Sequence, residues 1–541
     1  MQMLKKPMRS WQLALLAAVY MVSFDNTAFW RGLFELDGKT EAVNALFLVS
    51  VFIAMVGTTT IITSLTAFKY VFKPILILIL LSAALADYYM SEYGILIDKD
   101  MVRNMFLTDR AEVMELLFSP AMLWHVFLLG GIPSYIVWQL KLKDNSLLAN
   151  LLGRSLLVTG SLAVLALIGF LQYKNFVIVY RENQEMICRI NPTCPLVSVT
   201  KHVIRMYKPK VELQQLALDA VQQSSPTSRK RQVVILVVGE TARAANFSLN
   251  KYARNTNPEL GARTDIFNFS NVYSCGTSTA ASLPCMFSHI TRAKIDEKDP
   301  LAVENVMDVL VRAGISVHWW DNDAGCKGVC VRIPTKDLYF ATDPILCVED
   351  NCYDEILLAG LDDLIRNDSK DMLVVLHQKG SHGPAYYRRY PAAYKQFQPE
   401  CTIVEVQDCS QEQIVNSYDN TILYTDHVLS LLIRMLESHA NDFNTALVYL
   451  SDHGESLGER GLYLHGLPFL MAPKEQIHVP MFFWFSPGYR DVMQINANCL
   501  QHLSSNEFSH DNLFDTLLGL FSVQTSEYKQ ENNMLFSCVN S

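Results

Sequence analysis

The chain has 541 residues, 50% of them hydrophobic and 18% charged, with 45 Lys and Arg set against 54 Asp and Glu. That balance excludes a disordered, collagenous or small disulfide-only chain, and a net charge of -9 leaves no basic field for extended nucleic-acid binding. A mean hydropathy of +0.14 with so few charges is unusual for a wholly soluble protein, so part of the chain is expected in lipid.

In chain order, residues 11–30, 43–68, 74–90, 119–140 and 155–173 are apolar runs with almost no charge, each able or nearly able to span a bilayer. Five such runs in the first third of the chain argue for five membrane helices rather than buried soluble ones, and a cleavable signal peptide would explain only the first. Lys5, Lys6 and Arg9 precede the first run, Lys69 and Lys73 separate the second and third, and Lys141, Lys143 and Arg154 separate the fourth and fifth. The positive-inside rule then places the N-terminus in the cytoplasm, and an odd number of crossings puts everything after about residue 174 outside. The stretch 91–118 is amphipathic and external, expected at the membrane surface, with a re-entrant connector as the plainer alternative. Residues 201–231 are polar and basic and read as a linker or bridging helix with a solvated face. The expected organisation is a transmembrane domain over 1–174, a bridge over 175–231 and a catalytic domain over 232–541.

All twelve cysteines lie after residue 187, on the side of the membrane where oxidation is expected. Close neighbours pair as 188/194, 275/285, 326/330, 347/352 and 401/409, leaving Cys499 with Cys538. Six disulfides are the economical reading, although sequence alone does not determine connectivity. The C-x3-C spacing of Cys326 and Cys330 could instead serve zinc, but no second such pair with matching histidines supports that.

From residue 232 the texture changes. QVVILVVGET, ISVHWWDND, MLVVLHQKGSH, ALVYLSDHGES and VPMFFWFS each hold a short β-branched or aromatic core. Continuous rather than alternating apolarity suits strands covered on both faces, hence an α/β sandwich with a mostly parallel central sheet. Four of these runs end in groups able to bind metal or phosphate: Glu240, Asp323, His382, and Asp452 with His453. Ligands of open α/β sheets sit at the carboxyl ends of strands, so these side chains should converge on one edge. Any one alone would more often be a turn or a helix cap. Their recurrence points to a metal centre, and carboxylates with imidazole suit zinc or manganese, of which zinc fits an open catalytic site best.

The reacting group should be a hydroxyl. The segment SCGTSTAASLPCMFS offers Thr277, Ser278, Thr279 and Ser282 where a helix could begin, among amide N–H groups that favour an anionic phosphoryl group. Spacing does not choose among the four.

GETAR at 239–243, SCGTSTAASLPCMFS, DNDAGCKG, GSHGPAYYRRY and SDHGESLGERGLYLHG closely resemble the lipid A phosphoethanolamine transferases, the group that includes the polymyxin (colistin) resistance enzymes. The resemblance extends to YGILID, SYDNTILYTD and SHDNLFDTLLGL, and so covers nearly the whole chain. It implies an alkaline-phosphatase-like sandwich on a five-helix membrane domain, in the bacterial inner membrane with the catalytic domain periplasmic, and a monomer. It also implies one tightly bound zinc with room for a second, phosphatidylethanolamine as donor and a phosphate of lipid A as acceptor. By motif, Glu240, Thr279, Asp452 and His453 correspond to the primary zinc ligands, with Thr279 as nucleophile of a ping-pong reaction. His382 and His465 correspond to a second metal or phosphate site, with Asp323 and Lys327 beside it, and Asn104 and Glu112 to positions for the donor headgroup. The Cys188/Cys194 pair is not general in that family.

Three rivals are weighed against this reading. A phosphoglycerol transferase of the same superfamily shares the chemistry but not the cysteine density or motif wording. A sulfatase normally needs C/S-x-P-x-R, which the nucleophile segment lacks. A non-catalytic lipopolysaccharide-binding membrane protein would have no reason to retain every ligand.

Overall fold

The protein is described from a computed structural model, over residues 7–36, 43–68, 70–97, 99–107, 119–143, 147–182, 184–206, 212–223, 230–295, 297–339, 341–348 and 351–539. The chain divides into two compact units, one of 1–103 with 116–208 and one of 104–115 with 209–541.

In the first unit, Ala45–Leu65, Phe72–Glu92, Pro120–Gln139 and Leu148–Phe176 are helices long and apolar enough to cross a membrane. The expected first span differs. Its run forms two helices, Ser10–Phe24 and Thr27–Glu35, bent by 55°, and makes a fifth crossing only if the pair is one span. The reason lies in Asp25 and Asn26, which are fully buried between them. The Asn26 amide donates to the carbonyls of Met21 and Asn191, both at 2.9 Å, while its oxygen accepts from the Asn191 N–H at 2.8 Å. Asn191 in turn donates to the carbonyls of Asp25 and Ala83, and Asp87 accepts from the Thr27 N–H at 2.7 Å. Local side-chain partners thus replace the helical ladder where the backbone turns.

The second unit is built on an eight-stranded sheet: β1 (Gln232–Gly239), β2 (Ile266–Tyr273), β3 (Ser316–Asp321), β4 (Thr335–Asp337), β5 (Met372–His377), β6 (Asn444–Ser451), β7 (His478–Phe485) and β8 (Phe508–Ser509). Their spatial order is β8-β2-β7-β6-β1-β5-β3-β4. Every residue of β1, β5 and β6 is buried, which is why these strands read as unbroken apolar runs. From β6 to β4 all neighbours are parallel, but β7 runs antiparallel to both β6 and β2, so the sheet is mixed. The run VPMFFWFS reports burial on two faces, and burial carries no information about strand direction.

Disulfides join Cys275–Cys285, Cys326–Cys330, Cys347–Cys352, Cys401–Cys409 and Cys499–Cys538. The sixth expected bridge, Cys188–Cys194, is not among the disulfides of the described residues, and Cys194 Sγ lies 3.9 Å from the Ile97 carbonyl. The spacing that suggested it is taken up by a helical turn and the start of the helix Thr193–Met206.

The helix Gln411–Ser438, started by a capping box in which Ser410 and Gln413 serve each other's N–H groups, supports the site from below. Tyr418 donates to the Thr241 carbonyl at 2.7 Å and accepts from the Arg243 N–H at 2.9 Å. Thr421 donates to Ser381 at 2.6 Å. One helix therefore holds the loop after β1 and the loop after β5, each carrying groups of the site. Its polar residues within SYDNTILYTD are buried because they face those loops rather than solvent.

Candidate functional site

Sheet register brings the chemistry together. Gly239 pairs with Ser451, so the next residues, Glu240 and Asp452, emerge side by side; Val238 and Asp321 both pair with His377. Four neighbouring parallel strands thus deliver Asp452 and His453, Glu240, His377 and Asp323 to one carboxyl edge. Backbone geometry at that edge is demanding. Thr241 and Leu464, flanking Glu240 and His465, adopt left-handed φ of 51° and 63°, conformations that cost roughly 1–3 kcal/mol each and concentrate at functional sites. Gly380 has φ 52° and a Cβ there would sit 2.6 Å from the Glu240 carbonyl oxygen, so only glycine lets the two loops approach.

Thr279 opens the helix Thr279–Met286. Its hydroxyl lies 3.1 Å and 3.2 Å from the two Glu240 carboxylate oxygens and 3.4 Å from His453 Nε2. Thr277 instead donates to the Leu467 carbonyl, and Ser278 occupies the N-cap without a side-chain cap bond. Among the four hydroxyls of the segment, the structure thus brings Thr279 against both a carboxylate and an imidazole.

His453 donates through Nδ1 to the Gly454 carbonyl at 2.9 Å, which turns Nε2 toward Glu240 and Asp452, each at 3.4 Å. Glu240, Asp452 and His453 are fully buried, and one ligand atom of each lies within 4.8 Å of the others. Burial and the neighbouring Glu240 charge hold the Asp452 carboxyl well above its ordinary range. Burial would lower His453, but the carboxylates of Asp452 and Glu240 outweigh it and push the imidazole up to about 10. Asp452 and His453 therefore hold protons where a divalent cation would replace them, while the imidazoles of His377 and His453 outweigh burial and keep the Glu240 carboxyl well below its ordinary range. Asp452 Oδ2 has no hydrogen-bond partner. This donor set, two carboxylates, an imidazole and a hydroxyl, fits zinc.

The remaining expected residues are placed as follows. Asp323 is buried beside Glu240 and His377, one ligand atom of each within 4.8 Å of the others. The rings of His382 and His465 lie 5.8 Å apart, and His465 is 4.5 Å from His453. The Glu455 carboxylate accepts from His465 Nδ1 at 2.9 Å and from the Tyr386 hydroxyl at 2.7 Å. Lys327, at φ 49° in the loop after β3, donates to the Ala324 carbonyl at 2.9 Å. Asn104 is half-buried on the helix Lys99–Leu107; Glu112 lies outside the described residues. Arg243 of GETAR is buried and ion-paired with Glu459 of SDHGESLGERG at 2.6 Å, tying two of the sequence motifs together.

Two residues absent from the sequence reading stand out, His377 and Asp321. His377 was in view inside MLVVLHQKGSH, and being the last residue of its strand was the signal that could have marked it. Asp321 ends β3 in the same way.

Comparison with known proteins follows the same outline. A family model described as Phosphoethanolamine transferase EptA/EptB matches residues 55–207, and one described as Sulfatase matches residues 232–523. The chain is 39% identical to Phosphoethanolamine transferase EptA of Escherichia coli (strain K12), across 99% of this chain and 98% of that protein. It is 37% identical to Phosphatidylethanolamine transferase Mcr-1 of Escherichia coli, across 95% of each. Its fold is similar to that of the integral membrane protein lipooligosaccharide phosphoethanolamine transferase A from Neisseria meningitidis, with a TM-score of 0.95 and 36% identity over 99% of this chain and 100% of that one.

Proposed function

Since the chain belongs to the lipid A phosphoethanolamine transferases, within the alkaline phosphatase superfamily, we propose that it moves phosphoethanolamine from phosphatidylethanolamine to a phosphate of lipid A, with Thr279 carrying the group between them. The observation that carries this reading is the Thr279 hydroxyl at a helix N-terminus, 3.1 Å from Glu240 and 3.4 Å from His453.

In the first half-reaction the Thr279 oxygen attacks phosphorus in line with the diacylglycerol oxygen. The P–O bond to diacylglycerol breaks, and a phosphoethanolamine-threonine ester forms. Glu240 and His453 stand within reach of the threonine proton, and the departing oxygen takes up a proton from a nearby imidazole, the role we assign to the His382 and His465 pair. In the second half-reaction a lipid A phosphate oxygen attacks the same phosphorus and the threonine oxygen leaves. The open N–H groups at the start of Thr279–Met286 favour the anionic phosphoryl group throughout. Glu240, Thr279, Asp452 and His453 would hold one zinc ion, which when bound lowers the pKa of the threonine hydroxyl and draws charge from the phosphoryl oxygens. Lys327, with Asp323 nearby, contributes to binding the phosphate, and Asn104 and Glu112 to binding the ethanolamine headgroup, whose ammonium suits a carboxylate.

The long apolar helices support an inner-membrane location, and the charge pattern of the loops supports a cytoplasmic N-terminus with the second unit in the periplasm. Confining both lipids to one surface raises their effective concentration at the site. A monomer suffices, since every group named comes from one chain.

Mass spectrometry of the Thr279 peptide after incubation of the full-length protein with phosphatidylethanolamine tests the reading. A phosphoethanolamine adduct is expected; an unmodified threonine removes the mechanism, and a phosphoglycerol adduct selects the related transferase class. Expression in a Gram-negative host should also lower polymyxin susceptibility, because an added amine offsets a lipid A phosphate charge. Unchanged susceptibility with an adduct present would move the acceptor away from lipid A.

A further inference from the structure

We propose that the site takes a second divalent cation, held by Glu240, Asp323 and His377, next to the one held by Glu240, Thr279, Asp452 and His453, with Glu240 shared between them. This deepens the zinc-dependent reading above and rests on it. It moves the second cation away from the His382 and His465 pair, leaving those imidazoles to the phosphate.

Geometry and satisfaction of polar atoms carry the argument. One ligand atom each of Glu240, Asp323 and His377 lies within 4.8 Å of the other two, and all three residues are buried. Asp323 Oδ1 and His377 Nε2 have no hydrogen-bond partner, while His377 Nε2 stands 3.7 Å from Glu240 Oε2, too far for a hydrogen bond. Buried acceptors are rarely left open in a folded protein unless something else completes them.

His377 is also prepared as a ligand from behind. Its Nδ1 lies 3.0 Å from Asp321 Oδ2, which directs the Nε2 lone pair at the other two groups. Asp321 is itself held, by the Trp319 indole N–H at 2.7 Å and by the backbone N–H groups of Asp323 and Gly325 at 2.9 Å and 3.1 Å. A carboxylate that fixes the tautomer and ring orientation of an imidazole is the usual support of a metal-bound histidine. His453, held at Nδ1 by the Gly454 carbonyl, shows the same arrangement in the first site. Charge agrees: two divalent cations bring four positive charges, and the carboxylates of Glu240, Asp452 and Asp323 with a deprotonated Thr279 bring four negative ones. Without the second cation, Asp323 would be a buried carboxylate with an open oxygen beside Glu240.

The experiment is zinc stoichiometry on the full-length protein in detergent, stripped with a chelator, reloaded with zinc alone, desalted and measured by elemental mass spectrometry. Wild type should hold about two ions per chain, His377→Gln and Asp323→Asn about one each, and His382→Gln about two. Anomalous scattering at the zinc edge should show a peak among Glu240, Asp323 and His377. Thermal melts report whether each variant is folded, and Asp323→Asn, a near-isosteric change, stands in if His377→Gln is not. A wild type that saturates at one ion, or a His377→Gln protein that keeps two while His382→Gln falls to one, overturns the proposal. The Thr279 adduct is read separately: two ions without an adduct would remove the transfer reaction and keep the cation site, and an adduct with one ion would do the reverse.

Discussion

Two buried polar clusters use similar side chains and finish differently. In the membrane-helix unit, the Asn26 and Asn191 side-chain amides each use both of their donors, on main-chain carbonyls around the bend. At the carboxyl edge of the sheet, Asp323, His377 and Asp452 each keep a buried atom with no partner. Open atoms occur in both, since Asn191 Oδ1 and both Asp25 carboxylate oxygens also lack partners at the bend; what marks the sheet edge is that the residues bearing its open atoms converge on Glu240, with ligand atoms within 4.8 Å of one another in each group. Loss of a group should therefore be read in stability at the first cluster and in chemistry at the second.

The largest effect is expected at Thr279. Thr279→Ala should reduce transfer by on the order of 10⁴-fold or more in a lipid A assay, with the melting temperature nearly unchanged, because the reaction loses its nucleophile and the core loses little. A melt that collapses with the activity would erase the contrast between the clusters. At the bend, Asn191→Ala removes a donor from the Asp25 carbonyl and a second donor from the Ala83 carbonyl, which keeps its place in the ladder of the helix Phe72–Glu92, so the loss should be about 2 kcal/mol in detergent-solubilised protein while zinc content per folded chain stays constant. A drop in zinc content would show that the two clusters are not independent.

The smallest effect sharpens the comparison with an imidazole whose two nitrogens are both hydrogen-bonded, set beside the open cluster. His510 is fully buried, its Nδ1 accepting from the Cys275 N–H at 3.3 Å and its Nε2 donating to the Ser451 carbonyl at 3.0 Å. Burial lowers it from 6.5 to about 4, so the folded chain keeps it neutral while the unfolded chain takes up a proton below 6.5. Its contribution is complete above pH 6.5 and is lost as the pH falls to about 4, about 3 kcal/mol in all. Melting temperatures across that range should fall more steeply for wild type than for His510→Gln; parallel curves would reject the assignment.

Much of this is legible in the amino-acid sequence. Long apolar helices announce themselves because lipid demands a continuous stretch, and strands covered on both faces announce themselves because two helical layers demand the same over a shorter length. Glu240, Asp323, Asp452 and His453 could be placed at one edge because each follows such a run. Five cysteine pairs were close enough in sequence, or left over, to be matched by spacing alone. The Asp25–Asn26 bend was hidden, since an apolar window averages over two polar residues whose partner, Asn191, lies 165 positions away.

What the sequence by itself determined is the set of elements and the ends at which chemistry sits, because periodicity and chain order are local properties. Tertiary structure alone decided that the first apolar run bends at Asp25 and Asn26, that β7 reverses direction, and that Asp321 backs His377. The last two depend on which strands become neighbours and in what register, and register is settled by packing across the sheet rather than along the chain.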